Sequence, residues 1–168
     1  IYGGILVSQI LFFFFSSIKE TQCTIKTYPF SDPDPVADPS KTFYPYYRFD
    51  GFSNKVIERR WKVVEMENPF IKVSILPEIG GKIWGCTDKI NNKEFIYQNN
   101  VIKFRDIAMR GPWTSGGIEF NFGLIGHAPS TSTPVDYFTR NNPDGSVSCF
   151  VSSYEWMTGT WWSVEINL

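Results

Sequence analysis

A chain of 168 residues, 42% hydrophobic and 17% aromatic, carries enough apolar surface for one domain with a core of its own. Its 16 Lys and Arg against 17 Asp and Glu leave a formal charge of −1, and neither sign gathers into a block. That excludes the basic footprint of a nucleic-acid binder or of a protein held on an anionic membrane surface.

Residues 1–15 are almost wholly apolar and end in Phe12-Phe13-Phe14-Phe15. The run has the length of a signal-peptide core and falls short of the roughly 20 residues that span a bilayer. Residues 1–23 therefore read as a secretory leader, which implies export to the periplasm or cell surface and no membrane span once the leader is removed. Neither a Met nor a basic residue precedes the apolar run, so the expected start lies upstream of Ile1. Thr21 and Cys23 are the small residues expected before the cleavage site. The alternative, Cys23 as a lipidated first residue, is disfavoured by Glu20-Thr21-Gln22, a poor lipoprotein box.

Residues 24–47 are rich in Pro, Asp, Ser and Tyr, and Asp32-Pro33-Asp34-Pro35 and Asp38-Pro39 forbid helix and sheet-interior pairing, so an extended lead-in is expected there. Residues 48–168 read as the first part of a β-sandwich domain. Period-two patterning predicts strands at 55–66, 71–76, 82–87, 94–97, 118–122, 135–139, 146–153 and 161–166. Between them Gly80-Gly81, Asn91-Asn92 and Pro143-Asp144-Gly145 carry the turn chemistry that hairpins need. The architecture expected is all-β, an antiparallel sandwich with little helix. The last residues read as a strand that stops without a turn signal, so the domain is expected to continue past Leu168. Cys86 and Cys149 lie in apolar strands and are expected as buried free thiols, a disulfide between them being the alternative.

The chemistry-bearing segment is 109–136, where Arg110, Trp113, Glu119, Asn121 and His127 share a glycine-rich stretch with little regular strand. If 118–122 is a strand, Ile118, Phe120 and Phe122 face one way, and Glu119 and Asn121 share the other surface. His127, the one histidine of the chain, sits in Gly126-His127-Ala128-Pro129, where an imidazole either exchanges protons near neutral pH or bonds to backbone. Aromatic rings beside carboxylate, amide and guanidinium groups suit a sugar, which offers C–H faces for stacking and hydroxyls for hydrogen bonds. Single tryptophans can equally be core. One His and scattered carboxylates give no metal-ligand spacing, and no phosphate-cradling loop or Gly-x-Ser-x-Gly elbow occurs, so no metal and no cofactor is expected.

Ile75-Leu76-Pro77-Glu78-Ile79-Gly80-Gly81-Lys82-Ile83-Trp84 resembles the opening strands of galactose-mutarotase-like domains. The stretch Met109-Arg110-Gly111-Pro112-Trp113-Thr114-Ser115-Gly116-Gly117-Ile118-Glu119-Phe120-Asn121-Phe122-Gly123, with Gly126-His127 and Pro134-Val135-Asp136-Tyr137, resembles an exported bacterial family, domain of unknown function 5107, often followed by tetratricopeptide repeats. The resemblance implies a β-supersandwich, a fold shared by sugar epimerases, glycoside hydrolases, lyases and binding modules. In mutarotases a His protonates the ring oxygen and a Glu from late in the chain removes the anomeric proton. The resemblance therefore carries over only a place on the concave substrate-facing surface. The expected function is a carbohydrate-active domain, leaning to aldose epimerase or glycoside hydrolase chemistry. Glu119 and His127 are its candidate acid/base or sugar-binding groups, Arg110 and Asn121 bind hydroxyl or carboxylate, and Trp113 stacks on the sugar. The competing expectations are a non-catalytic carbohydrate-binding or protein-interaction module, and a structural β domain whose glycines only turn corners.

Overall fold

The computed structural model describes residues 15–29, 52–107, 111–123, 127–155 and 158–168. The strand Ile57–Glu67 (β2) shows how one sheet serves two cores. In its first half Trp61 and Val63 are buried while Arg60 and Lys62 are exposed; in its second half Val64 and Met66 are buried. Successive side chains of a strand point to opposite faces, so β2 packs one face at one end and the other face at the other.

β2 belongs to a seven-stranded sheet with β1 (Ser17–Tyr28), β3 (Ile71–Leu76), β4 (Lys82–Asp88), β5 (Lys93–Glu94), β6 (Val101–Ile107) and β7 (Gly111–Thr114), in the order β5-β4-β3-β2-β1-β6-β7. Three further strands, β8 (Asp136–Asn141), β9 (Val147–Glu155) and β10 (Thr160–Asn167), form an antiparallel sheet in the order β10-β9-β8. Among the described residues the one helical element is a 3-10 turn at Pro129–Ser132. The all-β sandwich expected from the sequence is what forms.

Trp61, Leu76, Ile79, Trp84, Ile102 and Phe104 make a core on one face of the large sheet. On its other face Val64, Met66, Val73, Ile75 and Cys86 pack against Val147, Cys149, Val151 and Trp162 of the small sheet. Each such apolar side chain contributes about 1.5–3 kcal/mol when fully buried. Trp61 also satisfies its indole, Nε1 donating to Thr27 Oγ1 at 3.0 Å across the β1–β2 pair. Cys86 and Cys149 are free thiols in the second core, in line with the blander expectation.

The ends of the large sheet are drawn together. Four residues after β7, Ile118 bridges Ile83 of β4 through Ile83 N to Ile118 O (3.1 Å) and Ile118 N to Ile83 O (2.8 Å). Gly117 makes this possible: its φ is +72°, and a Cβ there would stand 2.2 Å from the Ile83 carbonyl oxygen. In β4 itself the register slips by one residue, Ser74 pairing Gly85 and Ile75 pairing Ile83, so Trp84 has no partner across the ladder. A bulge of this kind re-aims a side chain, here placing Trp84 in the first core.

Two expectations are corrected. The large sheet is mixed rather than antiparallel, because β1 runs parallel to β6 with Lys26, Thr27 and Tyr28 opposite Val101, Ile102 and Lys103. Residues 118–122 are not a strand: positive φ at Gly116 (97°) and Gly117 (72°) turns the chain, and only Ile118 pairs. β1 runs across the position expected as the leader boundary, its residues from Ser17 onward pairing with β2 and Cys23 lying opposite Trp61. Most of 1–15 and of 24–47 lies outside the described residues.

Candidate functional site

The site forms where the large sheet closes on itself, from β4, β7, the glycine turn after β7 and the loop before the 3-10 turn. After the turn the chain keeps the alternation that the sequence suggested, without the strand. Phe120 and Phe122 pack against the second core, and the intervening Glu119 and Asn121 meet each other, Asn121 Nδ2 donating to Glu119 Oε1 at 2.7 Å. Glu119 Oε1 also meets His127 Nδ1 at 2.5 Å. The Oδ1 of Asn121 accepts from Ala128 N at 3.1 Å, tying the strand-like segment to the loop that carries the histidine. That loop is anchored in turn, because Gly80 N donates to Thr133 O at 2.8 Å and Val135 N to Pro77 O at 3.0 Å. Gly80 sits at φ +65°, and a Cβ there would lie 2.7 Å from backbone atoms of Ser130 and Thr131.

Trp113 comes from β7. Its ring centroid lies 6.5 Å from that of His127, with the planes tilted by 59°. The structure thus brings together Trp113, Glu119, Asn121 and His127. Arg110 lies outside the described residues.

Lys82 is the residue that sequence reasoning passed over. It opens β4 and is 1% exposed, its Nζ donating to Thr114 O (2.8 Å) and Thr114 Oγ1 (2.9 Å). The Trp84 ring lies 5.9 Å from the amine. Burial pushes the lysine down to about 8, against the opposing pull of the Glu119 charge. The signal in the sequence was its place two residues before Trp84 in an otherwise apolar strand, where a lysine that faces the core needs a built polar partner.

Glu119 is arranged to hold, and His127 to act. The Glu119 side chain is 13% exposed and that of His127 20%. Oε1 of Glu119 takes both polar neighbours, and its Oε2 is buried with no protein partner. A carboxylate accepting at Nδ1 fixes the neutral ring as the Nδ1–H tautomer and leaves the Nε2 lone pair for proton transfer. Glu155, a fully buried carboxylate, accepts from Thr158 N (2.6 Å) and Thr158 Oγ1 (2.5 Å) in its own turn. Among the described residues no group of three or more His, Cys, Asp or Glu could hold a metal ion, and no helix is long and apolar enough to cross a membrane.

Residues 38–168 match the family model described as Domain of unknown function (DUF5107). The crystal structure of a TPR-domain containing protein from Parabacteroides distasonis ATCC 8503 is similar over 91% of this chain, with a TM-score of 0.78 and 30% identity. The chain spans 27% of that protein.

Proposed function

The chain belongs to the DUF5107 family, and from that premise we propose that it is an exported, galactose-mutarotase-like carbohydrate domain whose sugar site is the Trp113, Glu119, Asn121 and His127 cluster. The observation that carries this reading is an imidazole held through Nδ1 by a largely buried carboxylate, beside a partly exposed tryptophan ring. Trp113 offers an apolar face to a pyranose, and His127 Nε2 gives or takes the proton at the ring oxygen or the anomeric hydroxyl. Glu119 orients the ring and stabilises the imidazolium, as a carboxylate does for a catalytic histidine elsewhere. Arg110, three positions before Trp113 in the sequence and outside the described residues, is the remaining member of the proposed set, its guanidinium suited to hydroxyl or carboxylate oxygens.

Epimerase-like proton transfer fits better than hydrolysis. Glycoside hydrolysis by the common routes uses two carboxyl groups about 5–9 Å apart, whereas Glu119 is the single carboxylate bonded to this imidazole, with one oxygen committed twice. That same commitment favours the alternative of a binding module without turnover. Similarity to part of a TPR-domain containing protein supports a domain that works beside further modules, while the export proposed for it rests on the apolar run at residues 1–15.

Calorimetric titration of a panel of mono- and oligosaccharides, with anomer exchange followed by NMR, tests the proposal. Saturable binding, weakened about tenfold or more by Trp113→Ala, and anomer exchange lost in His127→Asn with binding retained are the expected results. Binding with no exchange in any protein moves the function to the binding module. No binding to any saccharide sinks the carbohydrate reading.

A further inference from the structure

The floor of the site holds two unfinished hydrogen-bonding groups. An ammonium has three N–H donors, and Lys82 spends two of them on Thr114 O and Oγ1. Glu119 spends Oε1 on Asn121 and His127, while Oε2 is shut away from solvent with nothing bonded to it. No hydrogen bond joins the two side chains, although the Glu119 charge is felt at the amine. A buried carboxylate oxygen without a partner is rare enough in folded proteins to call for a ligand or a bound water.

We propose that Lys82 and Oε2 of Glu119 form a hydroxyl-binding subsite, one alcohol of the ligand accepting the third Lys82 N–H and donating its own proton to Oε2. The inference rests on the carbohydrate reading and deepens it. An alcohol is the group that satisfies both ends, because it is acceptor and donor at once. A carboxylate has no proton for Oε2, and an ammonium has no lone pair for Lys82. The subsite therefore selects an uncharged hydroxyl at this position of the sugar, against a uronic acid or an amino sugar. The antiparallel Ile83–Ile118 bridge sets Lys82 across from Glu119, whose Oε1 meets His127 beside Trp113, so the subsite adjoins the proposed sugar site.

The test pairs two measurements on the chain and its Lys82→Met variant. In the first, methyl pyranosides of galactose, glucose and mannose and their single-deoxy analogues are titrated calorimetrically. For the best-bound sugar, removing one particular hydroxyl should weaken binding to the wild type by about 10- to 100-fold, since both charged partners are then left unpaired. The same removal should change binding to Lys82→Met by less than about threefold, the single-hydrogen-bond range for a site already missing its donor. Identical deoxy profiles for the two proteins overturn the subsite alone; no pyranoside binding by the wild type overturns the subsite and the carbohydrate reading together. The second measurement needs no ligand and stands if Lys82→Met does not fold. NMR of the lysine side chains should show one amine titrating near about 8, moving lower still in Glu119→Gln. A set of amines all titrating near the usual value of about 10.4 means that Lys82 is open to water, and refutes the subsite.

Discussion

Replacing Lys82 by Met should change the pH dependence of stability in a way no surface lysine could. Burial holds the amine at about 8 in the folded chain against 10.5 for an ordinary lysine. Below about pH 8 both folded and unfolded chains carry the charge, and the fold bears the cost of burying it. Between about 8 and 10.5 the unfolded chain binds more protons than the folded one, so stability rises with pH through that window. At 1.36 kcal/mol per pH unit the gain is about 3 kcal/mol. Met fills the same space and has no proton to lose, so tyrosines and cysteines that titrate in both proteins cancel when the two are compared. Urea unfolding followed by tryptophan fluorescence, from about pH 7 to about pH 10.5, should show wild-type stability climbing by about 3 kcal/mol relative to Lys82→Met, with unchanged m-values. A difference that stays flat within about 0.5 kcal/mol, the usual resolution for such comparisons, refutes the burial of a charged amine and the argument built on it.

Gly117→Ala should cost about 3 kcal/mol or more, because the new Cβ meets the Ile83 carbonyl at 2.2 Å at a φ of +72°; amide exchange at Ile83 and Ile118 should speed up with it, and normal protection there would count against a closed sheet. Burial raises all three cysteine thiols, Cys149 to about 12, but Cys86 and Cys149 are enclosed in the core while Cys23 is only half-buried. Ellman's reagent on the native protein should therefore reach Cys23, half-buried on β1, before either; fast reaction of Cys86 or Cys149 would show an open second core. Deleting residues 1–23 removes the part of β1 that pairs with Trp61–Glu67 and leaves that stretch of β2, interior to the sheet, with a raw edge. Circular dichroism and denaturation should then show loss of the cooperative transition, and a stable truncated chain would contradict the role given to β1.

The strands that the sequence made legible are those with apolar alternation and a turn at each end: 71–76 is reproduced to the residue as β3, and β4, β8, β9 and β10 lie within one or two residues of expectation at most ends. β1 was hidden because its buried face, Thr21, Cys23, Ile25 and Thr27, is half polar and follows directly on an apolar run. Its parallel partner β6 does alternate, Ile102 and Phe104 inward with Lys103 outward, but a parallel pair leaves no hairpin turn to announce it. For the site, placing Glu119 and Asn121 on one surface followed from side-chain alternation and survives the loss of the strand. Lys82 stayed invisible because the residues that make its burial tolerable, Thr114 and Glu119, are more than thirty positions away and meet it only when the sheet closes.

That closure also explains why the site has the polarity it does. A lysine facing an apolar core is tolerable only with fixed acceptors, and Thr114 supplies two of them because β7 is brought against β4 by the Ile83–Ile118 bridge. The same bridge sets Glu119 one residue farther along, close enough for its charge to raise the amine and too far to bond it. Asn121 then decides which oxygen stays open: by donating to Oε1 and accepting from Ala128, it ties the carboxylate and the histidine loop into one unit. Oε1 serves the imidazole and Oε2 is left facing inward. The division of labour proposed for His127 and Lys82 follows from one carboxylate whose two oxygens are given different neighbours.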